Sequence, residues 1–229
     1  MTTALLARLL TAVALASAPV APSGPALHVK ASPAVAPCVA AAITEYRRAT
    51  GQTVSLEIAD LGSPASVAGA DVVVAADEEL NRIIESGTSD PNLDVDVARI
   101  PWVLVVPAQA DAVDVRSLGR TAATVRTLHG VVAREAWRNL QQQGVAPARV
   151  ERVRQLRAPI ELGPGEIGVV PLSLAGAGQA SSLPVPPLTV RALGVRASAH
   201  TTAAGRFLTF LTEGAGQTAF RACGRNDAR

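Results

Sequence analysis

Aromatic residues are scarce in this chain of 229 residues: three Phe, two Trp and one Tyr make up only 3% of it, although 48% of the residues are hydrophobic. A folded core must therefore be built mainly from Ala, Val and Leu. An excess of charge of one sign is also lacking, because 21 basic residues stand against 19 acidic ones and leave a net charge of +2. No basic run with interleaved aromatic residues occurs, so we expect no nucleic-acid partner.

Motifs of catalysis and of metal binding are absent from the sequence as well. It contains no Gly-x-Ser-x-Gly elbow and no phosphate-binding loop, and its three histidines, His28, His129 and His200, are scattered. The acidic pair Glu78 and Glu79 is interpreted as the solvent-exposed start of a helix. Two cysteines alone cannot close a zinc site. We therefore predict that the protein is not an enzyme and that it holds neither a cofactor nor a metal.

Long apolar runs are also missing, since no segment after the N-terminus reaches about 18 uninterrupted apolar residues, the length that a membrane-spanning helix needs. The N-terminal segment combines a single basic residue, Arg8, with the apolar run LLTAVALA and the small residues Ala16-Ser17-Ala18. This pattern is typical of a secretory signal peptide. We expect residues 1–26 to be a signal peptide and leader, and the mature protein to be soluble and periplasmic or otherwise extracytoplasmic.

The chain has only two cysteines, Cys38 and Cys223. In the oxidising compartment that a signal peptide predicts, such a widely spaced pair is a disulfide candidate. On the chain-entropy model, a disulfide that closes so long a loop stabilises the folded protein by roughly 4–5 kcal/mol. The alternative is a pair of buried free thiols.

A strand-to-helix junction at residues 70–77, with the sequence ADVVVAAD, organises the first half of the chain. Its apolar run predicts a strand buried on both faces, as in a parallel sheet covered by helices. Asp77 is a candidate N-cap for a helix over residues 78–86. Before the junction the pattern predicts a strand at residues 27–30, a helix over residues 34–50 and a strand at residues 54–58. This alternation predicts a parallel sheet with right-handed crossovers.

The pattern of the second half of the chain predicts another α/β unit, after which the chain returns to the first unit. The expected elements are a turn-rich connector at residues 87–94, strands at residues 100–107 and 167–171, a helix over residues 133–143, a linker at residues 176–187, a strand at residues 188–195 and a helical region over residues 201–221 with a break at residues 214–216. We therefore predict two lobes, one formed by residues 27–100 with 188–229 and the other by residues 101–187.

Six segments carry a family resemblance and stand in one order along the chain. They are LHVKAS from Leu27, ATGQTV from Ala49, ADVVVAAD from Ala70, WVLVVP from Trp102, GEIGVVP from Gly165 and AAGRFLTFLTEGAGQTAFRACG from Ala203. Together they resemble the extracytoplasmic solute-binding proteins of ABC importers, specifically the molybdate-binding type. The resemblance implies a type II periplasmic-binding-protein-like α/β fold of two lobes, with parallel-rich sheets flanked by helices. It also implies that the C-terminal helices return to the first lobe, which predicts a disulfide between Cys38 and Cys223.

The resemblance implies a function and a set of ligand contacts as well. The protein would be a monomer that captures a small oxyanion, molybdate or tungstate or one like them, in the cleft between the lobes and hands it to the membrane permease of an ABC importer. In that family, hydroxyls and backbone N–H groups at helix N-termini hold the anion. The matching positions here are Ser32, Ser63, Ser66, Gly130, Val131, Val153 and Ser173.

Several of these positions have another interpretation. Ser32 and Ser63 each precede a proline and fit ordinary turns, and His129 beside the Gly130 turn fits a solvent-exposed loop residue. The loop at residues 60–69 is short and is predicted to lack a helix, and Pro171 stands where the molybdate binders have a ligand-contacting Tyr, so that Ser173 is the candidate to replace its hydroxyl. These departures favour an alternative function, a degenerate binding-protein fold that acts as a sensor or an interaction protein without a transport role.

Overall fold

Two five-stranded sheets form the framework of the computed structural model, which describes residues 26–109, 113–147, 149–153, 160–175 and 179–223. The first sheet contains β1 (Leu27–Ala31), β2 (Val54–Ile58), β3 (Val72–Ala76), β4 (Ser89–Ile100) and β10 (Leu188–Val195), and the second contains β5 (Trp102–Val106), β6 (Thr124–Leu128), β7 (Val150–Val153), β8 (Glu166–Pro171) and β9 (Gln179–Ser182). The helices are α1 (Ala36–Thr50), α2 (Asp77–Glu85), α3 (Val131–Gln142), α4 (Thr201–Thr212) and α5 (Gly214–Cys223). All but one of the residues predicted as signal peptide and leader lie outside the described residues.

The two sheets have the same internal plan. The first has the strand order β2-β1-β3-β10-β4 and the second the order β7-β6-β8-β5-β9. In each, the first three strands are parallel, the fourth runs antiparallel to them, and the fifth is antiparallel to the fourth. Four of the five strands in each sheet therefore share one direction. The predicted two-lobed α/β fold with parallel-rich sheets is confirmed.

The chain passes between the sheets twice. β4 of the first sheet leads through Pro101 into β5 of the second, and residues 183–187 lead from β9 back to β10. At the first passage the N–H of Leu172 donates to the carbonyl oxygen of Pro101 (2.9 Å), and at the second the N–H of Leu183 donates to that of Trp102 (2.9 Å). The two passages are thus bonded to the second sheet. The exact lobe boundaries remain a prediction.

β3 is buried on both faces, as its apolar run predicts. Val74 packs in the main core with residues of α1 such as Val39. Val73, on the opposite face, packs in a second cluster with Leu80 and Ile83 of α2. Alternate side chains of one strand thus meet different helices, which explains why the run contains no polar residue.

The prediction that Asp77 is the N-cap of α2 is wrong. The helix begins at Asp77, its N-cap is Ala76, and the Ala76 N–H donates to Oε2 of Glu79 (3.2 Å). The Asp77 carboxylate instead accepts a hydrogen bond of 2.6 Å from Nη1 of Arg191 on β10. A charged partner on the neighbouring strand therefore holds Asp77, and Glu79 satisfies the cap.

Two other predictions fail at the edges of the sheets. Residues 87–94, predicted as a connector, include the start of β4, and the predicted linker at residues 176–187 contains β9. Both strands lie at a sheet edge. Edge strands tolerate proline, here Pro91, and polar residues, since one side of the backbone needs no partner strand. Such strands lack the apolar pattern by which the buried strands are recognised.

The N- and C-terminal helices pack together and are covalently joined. Cys38 of α1 and Cys223 at the end of α5 form a disulfide with a Cα–Cα distance of 5.1 Å. The predicted pairing is confirmed, and the alternative of two free thiols is wrong. Nearby, the ring of Tyr46 contacts those of Phe207 and Phe210 edge-on, each at a centroid distance of 5.1 Å. No helix in the described part of the chain is long and apolar enough to cross a membrane.

Candidate functional site

A cavity of about 530 Å³ lies between segments that belong to the first sheet and segments that belong to the second. Its first side comes from the loops after β1 and β2 and from α2, with Pro33, Ala34, Asp60, Gly62, Ser63, Glu78, Glu79 and Arg82. Its second side comes from the end of β6 and the first turn of α3, with Leu128, His129, Gly130, Val131, Val132 and Arg134. These segments follow the carboxyl ends of parallel strands, the usual place of a ligand site in open α/β sheets.

The first turn of α3 supplies backbone donors to the cavity. Gly130 is the N-cap of the helix and has φ +113°, a conformation that a side chain would strain. No side chain caps the helix, and its first turn contains no acidic residue. Among the described residues, none accepts a hydrogen bond from the N–H of Val131 or of Val132. The positive end of α3 is therefore open toward the cavity.

Of the ligand contacts predicted from the second sheet, some line the cavity and one does not. Gly130 and Val131 lie on the cavity surface together with His129, which the sequence also allows as a solvent-exposed loop residue. Val153 is not among the lining residues, and its carbonyl oxygen accepts a hydrogen bond of 2.8 Å from the N–H of His129. Val153 therefore holds the backbone of this turn in place through its carbonyl oxygen.

Ser32, at the carboxyl end of β1, is fully buried beside the cavity. Its carbonyl oxygen accepts hydrogen bonds from the N–H groups of Val35 (3.1 Å) and Ala36 (3.0 Å), so that the first donors of α1 are used within the protein. Its hydroxyl lies beside the carboxylate of Glu79 and lowers the pKa of that group. Ser32 therefore interacts with Glu79 but does not itself line the cavity.

The other three predicted serines occupy different environments. Ser63 lies on the cavity surface, at the N-cap of the short 3-10 turn Pro64–Val67. The Ser66 hydroxyl donates to the carbonyl oxygen of Ser63 (2.5 Å), and the buried Ser173 hydroxyl donates to that of Ala34 (2.5 Å). Neither of these two residues lines the cavity.

Three carboxylates that the sequence patterns did not assign to the site also line the cavity: those of Asp60, Glu78 and Glu79. Glu78 and Glu79 are partly buried, so their interpretation as a solvent-exposed helix start is wrong. Burial raises the pKa of Glu79, and the nearby carboxylates of Asp60 and Glu78 raise it further, against the lowering effect of Ser32 and of the Ala76 N–H. Oε2 of Glu78 is buried and has no hydrogen-bond partner among the described residues.

Two guanidinium groups, those of Arg82 and Arg134, complete the charged lining. Both side chains belong to exposed residues, Arg82 on α2 and Arg134 in the first turn of α3. The cavity thus combines Arg134 and open N–H groups on its α3 side with three carboxylates and Arg82 on the side of the first sheet. Such a lining suits recognition of a small polar solute, and within the described part of the chain no group of His, Cys, Asp and Glu residues has the arrangement of a metal site.

Comparison with known proteins places the chain in a family. The family model described as bacterial extracellular solute-binding protein matches residues 27–226. The chain belongs to this family. No curated protein matches it by sequence. Members of the family are binding proteins rather than enzymes; they bind small solutes and work with ABC permeases.

Solved structures share the fold of this solute-binding protein at low identity. The periplasmic molybdate-binding protein of Azotobacter vinelandii has a TM-score of 0.73 and 16% identity, over 86% of this chain and 97% of that one. The sulfate-binding protein SubI of Mycobacterium tuberculosis H37Rv has a TM-score of 0.65 and 17% identity, over 89% and 88%. Peb3 of Campylobacter jejuni has a TM-score of 0.63 and 11% identity, over 86% and 98%. At such identities the likeness establishes the fold alone.

Two departures noted in the sequence can be located in the structure. Pro171 is the last residue of β8; it is buried and does not line the cavity. The loop at residues 60–69 contains a single 3-10 turn and no α-helix, as the sequence analysis expects. In this solute-binding protein the loop after β2 therefore contributes only a short segment to the first-sheet side of the cavity, beside the loop after β1 and the start of α2.

Proposed function

We propose that this solute-binding protein captures a small oxyanion in the cavity between its two sheets and delivers it to the permease of an ABC importer. The observation that carries the proposal is the uncapped N-terminus of α3, which opens into a cavity of about 530 Å³. Helix N-termini bind anions through unpaired N–H groups and through the helix dipole. Gly130 and Val131 are the proposed direct contacts, and Ser63 is the proposed contact from the first-sheet side.

The guanidinium groups at the cavity add to this preference for an anion. Arg134 lies in the same first turn as the open N–H groups, and Arg82 lies on the opposite side of the cavity. A guanidinium group can form paired, charge-assisted hydrogen bonds with oxyanion oxygens. Molybdate- and sulfate-binding proteins among the structural neighbours are consistent with this ligand class.

Release to a permease requires that the cavity opens. The two passages between the sheets, at Pro101 and at residues 183–187, are the proposed hinges, since they connect the two sides of the cavity. We further propose an exported location, in agreement with a family of extracellular proteins, and a monomeric state.

The test removes one N–H donor of α3 without removing the helix. Proline suits the first position of a helix, so Val131→Pro deletes the donor at little cost to folding, and Val131→Ala is the matched control that keeps it. Each variant is titrated by calorimetry and thermal unfolding with molybdate, tungstate, sulfate, phosphate and organic phosphonates. At 100 times its dissociation constant, a ligand stabilises the folded protein by about 2.7 kcal/mol.

We expect an oxyanion of this panel to raise the melting temperature of the parent chain. Its affinity should fall about tenfold in Val131→Pro and stay nearly unchanged in Val131→Ala. Equal affinities of the two variants would show that the anion does not use this helix end.

The second candidate function is a degenerate cleft that serves as a sensor or an interaction surface. The carboxylates of Asp60, Glu78 and Glu79 favour it, because they repel a simple anion. This candidate predicts that no oxyanion stabilises the parent chain, which the same titrations measure.

A further inference from the structure

The two helix N-termini at the cavity differ in what they offer a ligand. The first turn of α3 contains no acidic residue and has open N–H groups. The first turn of α2 contains Asp77, Glu78 and Glu79, and the Glu79 carboxylate already accepts the N–H of Ala76. An anion therefore finds free backbone donors on the α3 side, whereas the protein's own carboxylate occupies the corresponding place on the α2 side.

The carboxylates on the α2 side have no cationic partner among the described side chains. We call Asp60, Glu78 and Glu79 the acidic wall; within the described part of the chain, none of the three forms an ion pair. Asp77, next to them, is by contrast paired with Arg191. Arg82 and Arg134 line the same cavity but do not lie within ion-pair distance of the wall. Mutual repulsion and partial burial leave this wall complementary to a positive group.

A buried polar atom at the acidic wall has no hydrogen-bond partner among the described residues. This atom is Oε2 of Glu78, a residue that lines the cavity. Buried polar atoms are nearly always satisfied in folded proteins. A donor brought by a ligand would satisfy the Glu78 carboxylate and would offset the repulsion along the wall.

We propose that the solute is a small zwitterion, whose oxyanion group binds the N-terminus of α3 and whose ammonium group faces the acidic wall. This inference rests on the proposed function, since it adds a second recognition element to the same cavity. A fully ionised simple oxyanion such as molybdate or sulfate carries no donor, so no group on it could satisfy the carboxylates of the wall. A phosphonate or a carboxylate that bears an amine satisfies both sides.

The experiment compares ligands that differ only in the ammonium group. The parent chain is titrated by calorimetry with 2-aminoethylphosphonate and ethylphosphonate, with β-alanine and propionate, with ethylammonium, and with molybdate and sulfate. The first pair tests a phosphonate source of the oxyanion group and the second a carboxylate source. We expect one amine-bearing compound to bind about tenfold or more tightly than its partner without the amine, and more tightly than ethylammonium.

Variants of the wall assign the difference to its carboxylates. Glu79→Gln keeps an acceptor for the Ala76 N–H and removes the charge, and Glu78→Gln serves the same purpose if the first variant unfolds. Glu85→Gln, on an exposed residue at the other end of α2, is the matched control. We expect the preference for the amine to disappear in the wall variants and to persist in Glu85→Gln.

Every other outcome overturns the inference, and the pattern of binding shows whether the proposed oxyanion function fails with it. If molybdate, sulfate or ethylphosphonate binds as tightly as the amine-bearing compounds, and Glu79→Gln leaves or improves that binding, the zwitterion is wrong and the oxyanion function stands. If ethylammonium binds as well as the zwitterions, the cavity takes a cation, and both proposals fail. Binding of none of these compounds by the folded chain also counts against both.

Discussion

The hydroxyl of Ser173 donates a hydrogen bond of 2.5 Å to the carbonyl oxygen of Ala34, 139 residues earlier in the chain. Ser173 follows β8 of the second sheet, whereas Ala34 follows β1 of the first and lines the cavity. Both residues are buried, so water cannot replace the bond. This contact holds the two sides of the cavity in their present arrangement.

Removal of this hydroxyl should destabilise the protein. Ser173→Ala leaves the buried Ala34 oxygen without its donor, which typically costs about 1–3 kcal/mol in the free energy of unfolding. Urea unfolding measures the loss. Ser66→Ala is the control, because its hydroxyl bonds the carbonyl oxygen of an exposed residue, Ser63, and we expect it to change the free energy by less than about 0.5 kcal/mol. Equal stability of Ser173→Ala and the parent would mean that this bond contributes nothing.

The disulfide between Cys38 and Cys223 should contribute strongly to stability. It closes a loop with a sequence separation of 185, for which the chain-entropy model gives about 5 kcal/mol. We expect the double variant Cys38→Ala/Cys223→Ala to lose an amount of this order, as measured by urea unfolding. Addition of a reductant should destabilise the parent and leave the double variant unaffected. A reductant that acts equally on both chains would contradict the prediction.

The sequence predicted the strands with a clear apolar pattern, including the edge strand β2, and missed the edge strands β4 and β9, for a physical reason. β3 and β5 are buried along their whole length, so their apolar runs stand out without knowledge of their neighbours. β4 and β9 lie at sheet edges and are held by backbone hydrogen bonds to one neighbouring strand, which leaves little signal in the side chains. Pro91 in β4 is moreover a residue that normally predicts a turn.

The sequence likewise identified some residues of the candidate site and missed others. Gly130 and Val131 were identified by a family resemblance and lie at a helix start that follows a parallel strand, where ligand sites are common. Glu78 and Glu79 also start a helix after a buried strand, but acidic residues at that position normally cap a solvent-exposed helix. Only the packing of α2 against α3 turns them toward a cavity, and this contact joins distant parts of the chain. Local patterns carry no information about it.

The carboxylate of Asp71 should make stability depend on pH. It accepts hydrogen bonds from the N–H of His28 (2.8 Å), from the hydroxyl of Ser198 (2.6 Å) and from the ring of His200 (3.2 Å). Burial alone raises the pKa of Asp71, but the bonds from Ser198, His28 and His200 outweigh it and lower the pKa below its usual value. A carboxyl whose pKa is lower in the folded than in the unfolded chain stabilises the protein above its unfolded pKa of about 3.9, and this contribution is lost as the pH falls through the folded value.

We therefore expect Asp71→Asn to lower the melting temperature at neutral pH and to approach the parent as the pH falls below about 4. Thermal unfolding of both chains between neutral and acidic pH measures this difference. Glu85→Gln, in which an exposed carboxylate is removed, should follow the parent at every pH. A difference between Asp71→Asn and the parent that stays constant with pH would show that the ionised carboxylate is not the source of the stability.

Two glycines at opposite ends of α3 allow strain to be separated from ligand binding. Gly130 has φ +113° and Gly144 has φ +81°, and no atom lies within 4 Å of a Cβ built at either position. Alanine at each site should therefore cost stability through backbone strain alone, and more at Gly130, whose φ of +113° and ψ of −172° are essentially restricted to glycine. Only Gly130 lines the cavity and orients the open N–H groups of α3. We expect both Gly130→Ala and Gly144→Ala to lose free energy in urea unfolding, by about 1–3 kcal/mol, and only Gly130→Ala to weaken binding of the oxyanion in calorimetry. If Gly144→Ala weakened binding equally, the loss would reflect general destabilisation of α3 rather than the geometry of its first turn.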